Sequence, residues 1–304
     1  MMAAKVLQSR GHAAEAWRLF ADLRQAKWAR PDVAPAWDGE PLDGKTLLVA
    51  DADRQIVPLM RMARFLGPAA ERVAKVVALT DPRLVAPLQR TFPTVDVRAH
   101  GDDEALPPVD FVASYDRLGQ HLLGDRDARD GFVPLLADPE RVARFRQAAA
   151  GGGPRIGIAW HSTNDDKALP ALGDWAAFMA QTNPQFVSLQ YREDEFGFAE
   201  LEERSGGKLA RVEGVDHFHD IDAHFAAIAS VDLLVSISNT TAHAAGCLGV
   251  PVVVLLDEGQ VNMHWAAQGE ADWFFPSAHL LRRAGRPWGA VFEEAERAID
   301  RLGR

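Results

Sequence analysis

The sequence predicts an α/β protein of two Rossmann-like, parallel-sheet lobes, and three observations lead there. Short apolar runs alternate with stretches of helical periodicity over residues 46–113, and the alternation starts again over 155–256. Gly151-Gly152-Gly153-Pro154 separates the two series and reads as a domain boundary. Residues 233–256 hold a strand, a polar turn, a short helix and a second strand in immediate succession. The first of these runs, Leu233-Leu234-Val235-Ser236-Ile237, is uncharged and too short for a helix, as a strand covered on both faces must be.

Taken in order, residues 3–28 read as helix, with Val6, Leu7, Trp17, Phe20 and Leu23 at helical spacing and a break at Ser9-Arg10-Gly11-His12. Two helices joined in this way look like the last unit of a helical repeat, so residues 1–30 form a short repeat-like segment. A Pro/Gly/Asp-rich linker follows over 30–45. The first lobe, residues 31–150, takes strands at 46–50, 76–79, 95–98 and 111–113, and helices at 57–65 and 82–91. Its last helix, 138–150, opens on Asp-Pro-Glu, with proline in the first helical position. The second lobe, residues 151–304, takes strands at 155–160, 186–189, 209–212, 233–236 and 252–255. Its helices lie at 175–181 and 224–230, and a terminal amphipathic helix at 292–302 packs back across the lobes. Two such lobes face one another across a cleft at the strand C-termini.

Composition narrows the function. The chain has 304 residues, 47% apolar and 25% charged, with a net charge of −10. That charge argues against nucleic acid or an anionic membrane as the main partner. The single cysteine, Cys247, allows no internal disulfide, fits a reducing cytoplasm and reads as a packing residue. No segment reaches the ~18 apolar residues of a membrane helix, and no secretory leader is expected at the N-terminus.

The turn Asn239-Thr240-Thr241 sits where a helix begins at the end of a parallel strand. Free backbone N–H groups and the helix dipole make such a point a ready anion site, best suited to a phosphate or diphosphate. A plain helix N-cap is the simpler use of the same residues.

Several blocks together resemble a known family. They are Trp37-Asp38-Gly39-Glu40-Pro41-Leu42-Asp43-Gly44-Lys45-Thr46-Leu47-Leu48, Arg155-Ile156-Gly157-Ile158-Ala159-Trp160, Phe186-Val187-Ser188-Leu189-Gln190-Tyr191, residues 233–256, and Asp272-Trp273-Phe274-Phe275-Pro276-Ser277. The second lobe resembles the glycosyltransferase domain found behind tetratricopeptide repeats in many bacterial proteins. That group is akin to the heptosyltransferases and more remotely to the O-GlcNAc transferases, all of GT-B fold. The version with Asn239-Thr240-Thr241 is most similar to the soluble enzymes that glycosylate bacterial flagellin. The resemblance implies a metal-independent glycosyltransferase with a nucleotide-sugar donor, no further cofactor and a protein acceptor. One stretch departs from it: Ala50-Asp51-Ala52-Asp53-Arg54-Gln55 lacks the Gly-rich turn that usually follows the first strand. This points to a different acceptor, or to a catalytically degenerate module that binds nucleotide or protein.

Glycosyl transfer requires stabilisation of the leaving phosphate, a base for the acceptor hydroxyl and alignment of the two substrates. Asn239, Thr240 and Thr241 are candidates for the leaving group, with His243 one turn further on. Trp160, His161 and Ser162 follow the first strand of the second lobe and line the same site, where Lys167 adds a permanent positive charge. Gln190 and Tyr191 end another strand and are placed for the base or ribose. Asp51 and Asp53 end the first strand of the other lobe and are the candidate bases, although Asp-rich turns are common. His217-Phe218-His219-Asp220 with His224 has weak metal spacing and reads as a surface loop, so no metal is expected. Asp102-Asp103-Glu104 reads as a solvated loop. Residues 257–269, with Asn262, His264 and Trp265, are placed to cover the donor. An epimerase would need acid/base groups on both faces of a sugar, and no such pair stands out. Neither lobe has the Gly-x-Gly-x-x-Gly of a nicotinamide-dinucleotide enzyme.

Overall fold

Two parallel sheets organise the chain, which is described by a computed structural model over residues 2–9, 12–28, 33–51, 55–101, 106–123, 127–148, 153–164, 167–257 and 265–302. The chain divides into two compact units. The first is Met1–Leu136 with Val261–Gln268, and the second is Ala137–Gln260 with Gly269–Arg304.

In the first unit, β1 (Thr46–Val49), β2 (Lys75–Thr80), β3 (Asp96–Ala99) and β4 (Phe111–Ala113) form a sheet in the order β3-β2-β1-β4, with every pairing parallel. Leu48, Ala50, Val77, Leu79 and Val112 build one buried layer of its core. Helices α1 (Met2–Ser9) and α2 (Ala13–Trp28) belong to this unit, and α2 packs on α6 (Tyr115–Leu123). The Trp17 ring of α2 stacks on Phe65 with centroids 6.0 Å apart. Gly119 permits the approach, because a Cβ there would stand 2.6 Å from ring carbons of both Trp17 and Phe65. The same mid-helix glycine lowers local helix propensity and explains why α6 is missing from the expected elements. Helices α3 (Ile56–Met62), α4 (Leu66–Ala70) and α5 (Val85–Thr91) complete the unit. Asp53, the second candidate base, and the acidic triplet 102–104 lie outside the described residues.

The second unit carries α7 (Pro139–Gln147), β5 (Ile156–Ala159), α8 (Leu172–Gln181), β6 (Phe186–Ser188), α9 (Phe198–Arg204), β7 (Leu209–Ala210), α10 (Ile221–Ala229), β8 (Leu233–Ile237), α11 (Thr240–Leu248), β9 (Val252–Leu256), β10 (Ala278–Arg282) and α12 (Trp288–Leu302). The sheet order is β10-β9-β8-β5-β6-β7, again all parallel. Counted from β5, this is the doubly wound order 3-2-1-4-5-6, whose strand succession reverses between β5 and β8. The core runs from Ile156, Ile158 and Val235 across Trp175, Phe178 and Phe186 to one face of α12. On that face Phe292 lies 4.9 Å from Trp175 and 4.8 Å from Phe178, ring centre to ring centre.

The unit border falls at Leu136/Ala137, ahead of Gly151-Gly152-Gly153-Pro154, where the sequence places it. The physical reason is α7. Asp138 caps it by accepting from the N–H of Glu140 and Arg141, and its Arg141 pairs with Asp220 at 3.0 Å. Arg146 adds a bond to Ala229 O, and Arg155 donates to Phe145 O, so the helix is tied to the second unit on two sides. Helix α12 packs on α8, β9 and β10. Strand β10 is an addition to the expected set: its run Ala-His-Leu-Leu-Arg is short and half polar, and pairing with β9 is what makes it a strand.

Candidate functional site

In a doubly wound sheet the crevice lies beyond the strand C-termini where the order reverses, which here means beyond β5 and β8. After β8, Asn239 is extended and its Oδ1 accepts from Ala242 N at 3.0 Å, capping α11. His243 N closes the first helical bond on Asn239 O. The N–H groups of Thr240 and Thr241 take no acceptor among the described residues. At the other end Gly249, with φ of 71°, lets Val250 N reach back to Ala245 O and stop the helix. Between the two ends, Gly246 lets Phe275 pack close, since a Cβ there would meet the ring at 2.6 Å.

The loop leaving β5 is clamped to this turn. Gln190, fully buried after β6, accepts from Trp160 N at 3.0 Å and His161 N at 2.9 Å through the same Oε1. Its amide nitrogen donates to Tyr191 O. The Tyr191 hydroxyl accepts from Thr163 N at 3.1 Å. The His161 ring stacks on Phe196 at 3.8 Å, and Asn239 Nδ2 donates to His161 O. Lys167 then crosses the gap, donating to Ser162 Oγ at 3.3 Å and to Ser238 O, the carbonyl just before the cap. No carboxylate pairs with Lys167 among the described residues, and burial pushes its ammonium below the usual lysine range. The positive end of a helix and a half-buried ammonium therefore share one small volume, and no carboxylate among the described residues pairs with the ammonium.

The candidates separate on this geometry. His161, Ser162, Lys167, Tyr191 and Thr240 are half-buried around the turn. Trp160 is a framework residue, its indole buried and donating to Phe196 O at 2.7 Å. The side chain of Gln190 is likewise spent inside the fold. Thr241 is 1% exposed and its hydroxyl donates to Leu189 O, so only its backbone N–H faces the turn. His243 is buried, with its ring near Phe275. Asn239 serves as the cap and as a strut to the β5 loop in one side chain.

Two expectations from the sequence are corrected. His217 and His224 are buried and face each other at 2.8 Å, whereas His219, paired with Asp216, and Asp220 are on the surface. Trp265 is 1% exposed and belongs to the first unit, with the Arg61 guanidinium 6.0 Å from its ring centre. It is a core residue there rather than a donor cover, while Asn262 and His264 lie outside the described residues. Among the described residues no group of three His, Cys, Asp or Glu is placed to hold a metal ion. No helix among them is long and apolar enough to cross a membrane. Cys247 is buried in α11.

Asp51 belongs to the first unit. It follows β1, next to β4 in the sheet, which is the corresponding reversal point of the order β3-β2-β1-β4. The residue is 3% exposed. Tyr115, at the start of α6, is fully buried and donates to Leu79 O at 3.2 Å. Burial first, and then the charge of Asp51, push the Tyr115 phenol well above its usual range. The sequence reading missed Tyr115 as a neighbour because α6 was not foreseen. It also missed Ser236, fully buried, whose hydroxyl donates to Ala159 O at 3.0 Å and ties β8 to β5 under the site.

No family model matches the chain. Protein FlbA of Caulobacter vibrioides is 29% identical over 242 residues, covering 72% of this chain. The chain spans 40% of the length of that curated relative. Among solved structures, the family 9 glycosyl transferase from Veillonella parvula superposes with a TM-score of 0.64 at 14% identity, covering 87% of this chain and 99% of that one. The ADP-heptose lps heptosyltransferase II of E. coli gives 0.56 at 12% identity, covering 84% and 99%. The chain thus shares the two-lobed α/β fold of these glycosyltransferases.

Proposed function

We propose that the protein is a glycosyltransferase that moves a sugar from a nucleotide-sugar donor to an acceptor. The observation that carries this reading is the pairing of Lys167 with the open N-terminus of α11 at the reversal point of the second sheet. Two sources of positive potential meet there in a half-buried site, and both would be relieved by a diphosphate. The fold shared with the two glycosyltransferases supports the same reading.

The chemistry follows from the residues. As the bond from the sugar's anomeric carbon to the phosphate oxygen breaks, negative charge grows on the leaving group. Lys167 and the N–H groups of Thr240 and Thr241 meet that charge, which makes a metal ion unnecessary. The acceptor oxygen forms the new bond to the same carbon, and its proton passes to a carboxylate, Asp51 or Asp53. His161, Ser162, Tyr191 and the Thr240 hydroxyl surround the phosphates and the nucleoside. The acceptor is a protein such as flagellin; what supports it is the likeness of α1 and α2 to the end of a helical repeat, a kind of array that binds peptides. The enzyme works in the cytoplasm, where the lone Cys247 stays reduced.

Melting curves with UDP, GDP, ADP and CMP test the reading. A nucleotide at about 100 times its Kd adds roughly 2.7 kcal/mol to stability. The expected result is a shift with one of them that is lost in Lys167→Met. No shift with any nucleotide, in folded protein, moves the assignment to a degenerate module that acts through protein contacts.

A further inference from the structure

Behind the turn runs a chain of hydrogen bonds that the phosphate reading does not use. His217 Nδ1 and His224 Nδ1 are 2.8 Å apart, His224 Nε2 is 3.2 Å from Thr241 Oγ1, and Thr241 Oγ1 is 3.2 Å from Leu189 O. The four residues are 7%, 2%, 1% and 0% exposed, so water does not supply substitute partners to the inner links. The proton positions follow by elimination. A carbonyl oxygen only accepts, so the single Thr241 hydroxyl proton goes to Leu189 O. The hydroxyl must then accept from His224, whose proton sits on Nε2. A neutral ring protonated at Nε2 has a bare Nδ1, so His217 donates from its own Nδ1. Burial holds both rings neutral, His217 at about 4 and His224 well below the usual histidine range.

The chain links four elements in series. His217 lies in the loop before α10, His224 in α10, Thr241 in the first turn of α11, and Leu189 directly after β6. The residue after Leu189 is Gln190, which clamps the exit of β5. We infer that His224 is a positioning residue for the anion site: through Thr241 it locks the first turn of α11 onto the end of β6, so that the N–H groups of Thr240 and Thr241 are aimed before the anion arrives. The inference rests on the phosphate reading above. Its physical content is preorganisation, since donors already fixed in place need no reordering when charge appears.

The test uses pyrophosphate as the probe and the full chain in three forms: wild type, His224→Gln and His224→Leu. Glutamine is the conservative variant, because its amide nitrogen can donate to Thr241 while its oxygen accepts from His217. Leucine fills the space and offers neither bond. Side-chain 15N NMR of the wild type at pH 7.5 should show His224 protonated at Nε2 and His217 at Nδ1. Pyrophosphate affinity should fall about tenfold in His224→Leu and stay within about threefold of wild type in His224→Gln. A mere packing role would favour the apolar leucine, so the order of the two variants distinguishes positioning from filling. The inference is overturned by the opposite tautomers, by His224→Leu binding as wild type does, or by folded His224→Gln failing to rescue. If wild type binds neither pyrophosphate nor any nucleotide of the melting panel, the phosphate reading falls and takes the inference with it. If wild type binds and His224→Leu equals it, the inference alone falls. Should His224→Leu not fold, the tautomers and His224→Gln decide.

Discussion

The Lys167 ammonium donates to the carbonyl of Ser238, the residue immediately before the Asn239 cap of α11, with no acidic partner beside it among the described residues. An ammonium held in this way opposes the helix dipole rather than complementing it. Because burial lowers its pKa in the folded state, its protonation near neutral pH subtracts from stability instead of adding to it.

Lys167→Met is therefore expected to move two quantities in opposite directions. The ligand-free protein should melt at the same temperature or higher, with up to roughly 1 kcal/mol gained. Affinity for the preferred nucleoside diphosphate should fall about 10- to 100-fold, as expected when a charged donor to phosphate is removed. Melting without ligand and calorimetric titration with it measure the two halves.

The neutral histidine pair sets a pH dependence of stability. Both folded pKa values lie below that of an unfolded histidine, so folding costs nothing extra above about pH 6.5 and is increasingly opposed as pH falls toward 4. For His217 alone the penalty reaches on the order of 3 kcal/mol at the acid end. Asp96, Asp127 and Asp216, held near 2 chiefly by hydrogen bonds, contribute their stability throughout this window and lose it only as pH falls from about 4 toward 2. Glu193 and Glu296, raised by burial, act in the opposite sense within it. The urea midpoint of wild type should drop between pH 6.5 and 4.5 more steeply than that of His217→Leu/His224→Leu.

Gly119→Ala tests the contact between α2 and α6. Alanine favours the helix by up to about 1 kcal/mol over glycine. Its methyl group would stand 2.6 Å from the rings of Trp17 and Phe65, and overpacking of this kind costs about 1–3 kcal/mol. The net change in urea denaturation should be a loss of stability, with the packing term outweighing propensity.

Asp51→Asn should lower turnover by about 10²- to 10⁴-fold while leaving nucleotide affinity unchanged, the pattern of a lost general base. Single-turnover transfer from the nucleotide-sugar, paired with nucleotide titration, separates the two effects. If Asp53→Asn shows that pattern instead, the base is Asp53.

Much of the frame was legible in the sequence. Uncharged apolar runs such as Leu47-Leu48-Val49 and Leu233-Leu234-Val235 are strands because nothing else buries both faces of so short a segment. The turn at Asn239 could be placed because N-cap chemistry is local. What depends on tertiary contact was hidden. Gly119 argues against a helix until Trp17 and Phe65 are seen beside it, and β10 is a strand because β9 pairs with it. The sequence also separates His217 from Thr241, and Thr241 from Leu189, so no spacing rule reveals that they share one line of hydrogen bonds. Polar residues named as ligand candidates divide between buried ones holding the turn, such as Gln190 and Thr241, and half-buried ones around it, such as Ser162 and Thr240. Residue type alone does not make that division; burial does.

Trp265 has a consequence for how the chain matures. It is a buried part of the first unit, yet the larger part of the second unit's sequence, Ala137–Gln260, intervenes between Leu136 and this residue. During synthesis the amino-terminal sheet emerges early and waits, with an unfilled place beside Arg61, until the ribosome has delivered nearly the entire polypeptide. A nick after Leu136 would likewise release a fragment missing one of its own large interior side chains. The two halves are thus bound to a common fate by a tryptophan on loan from late in the chain.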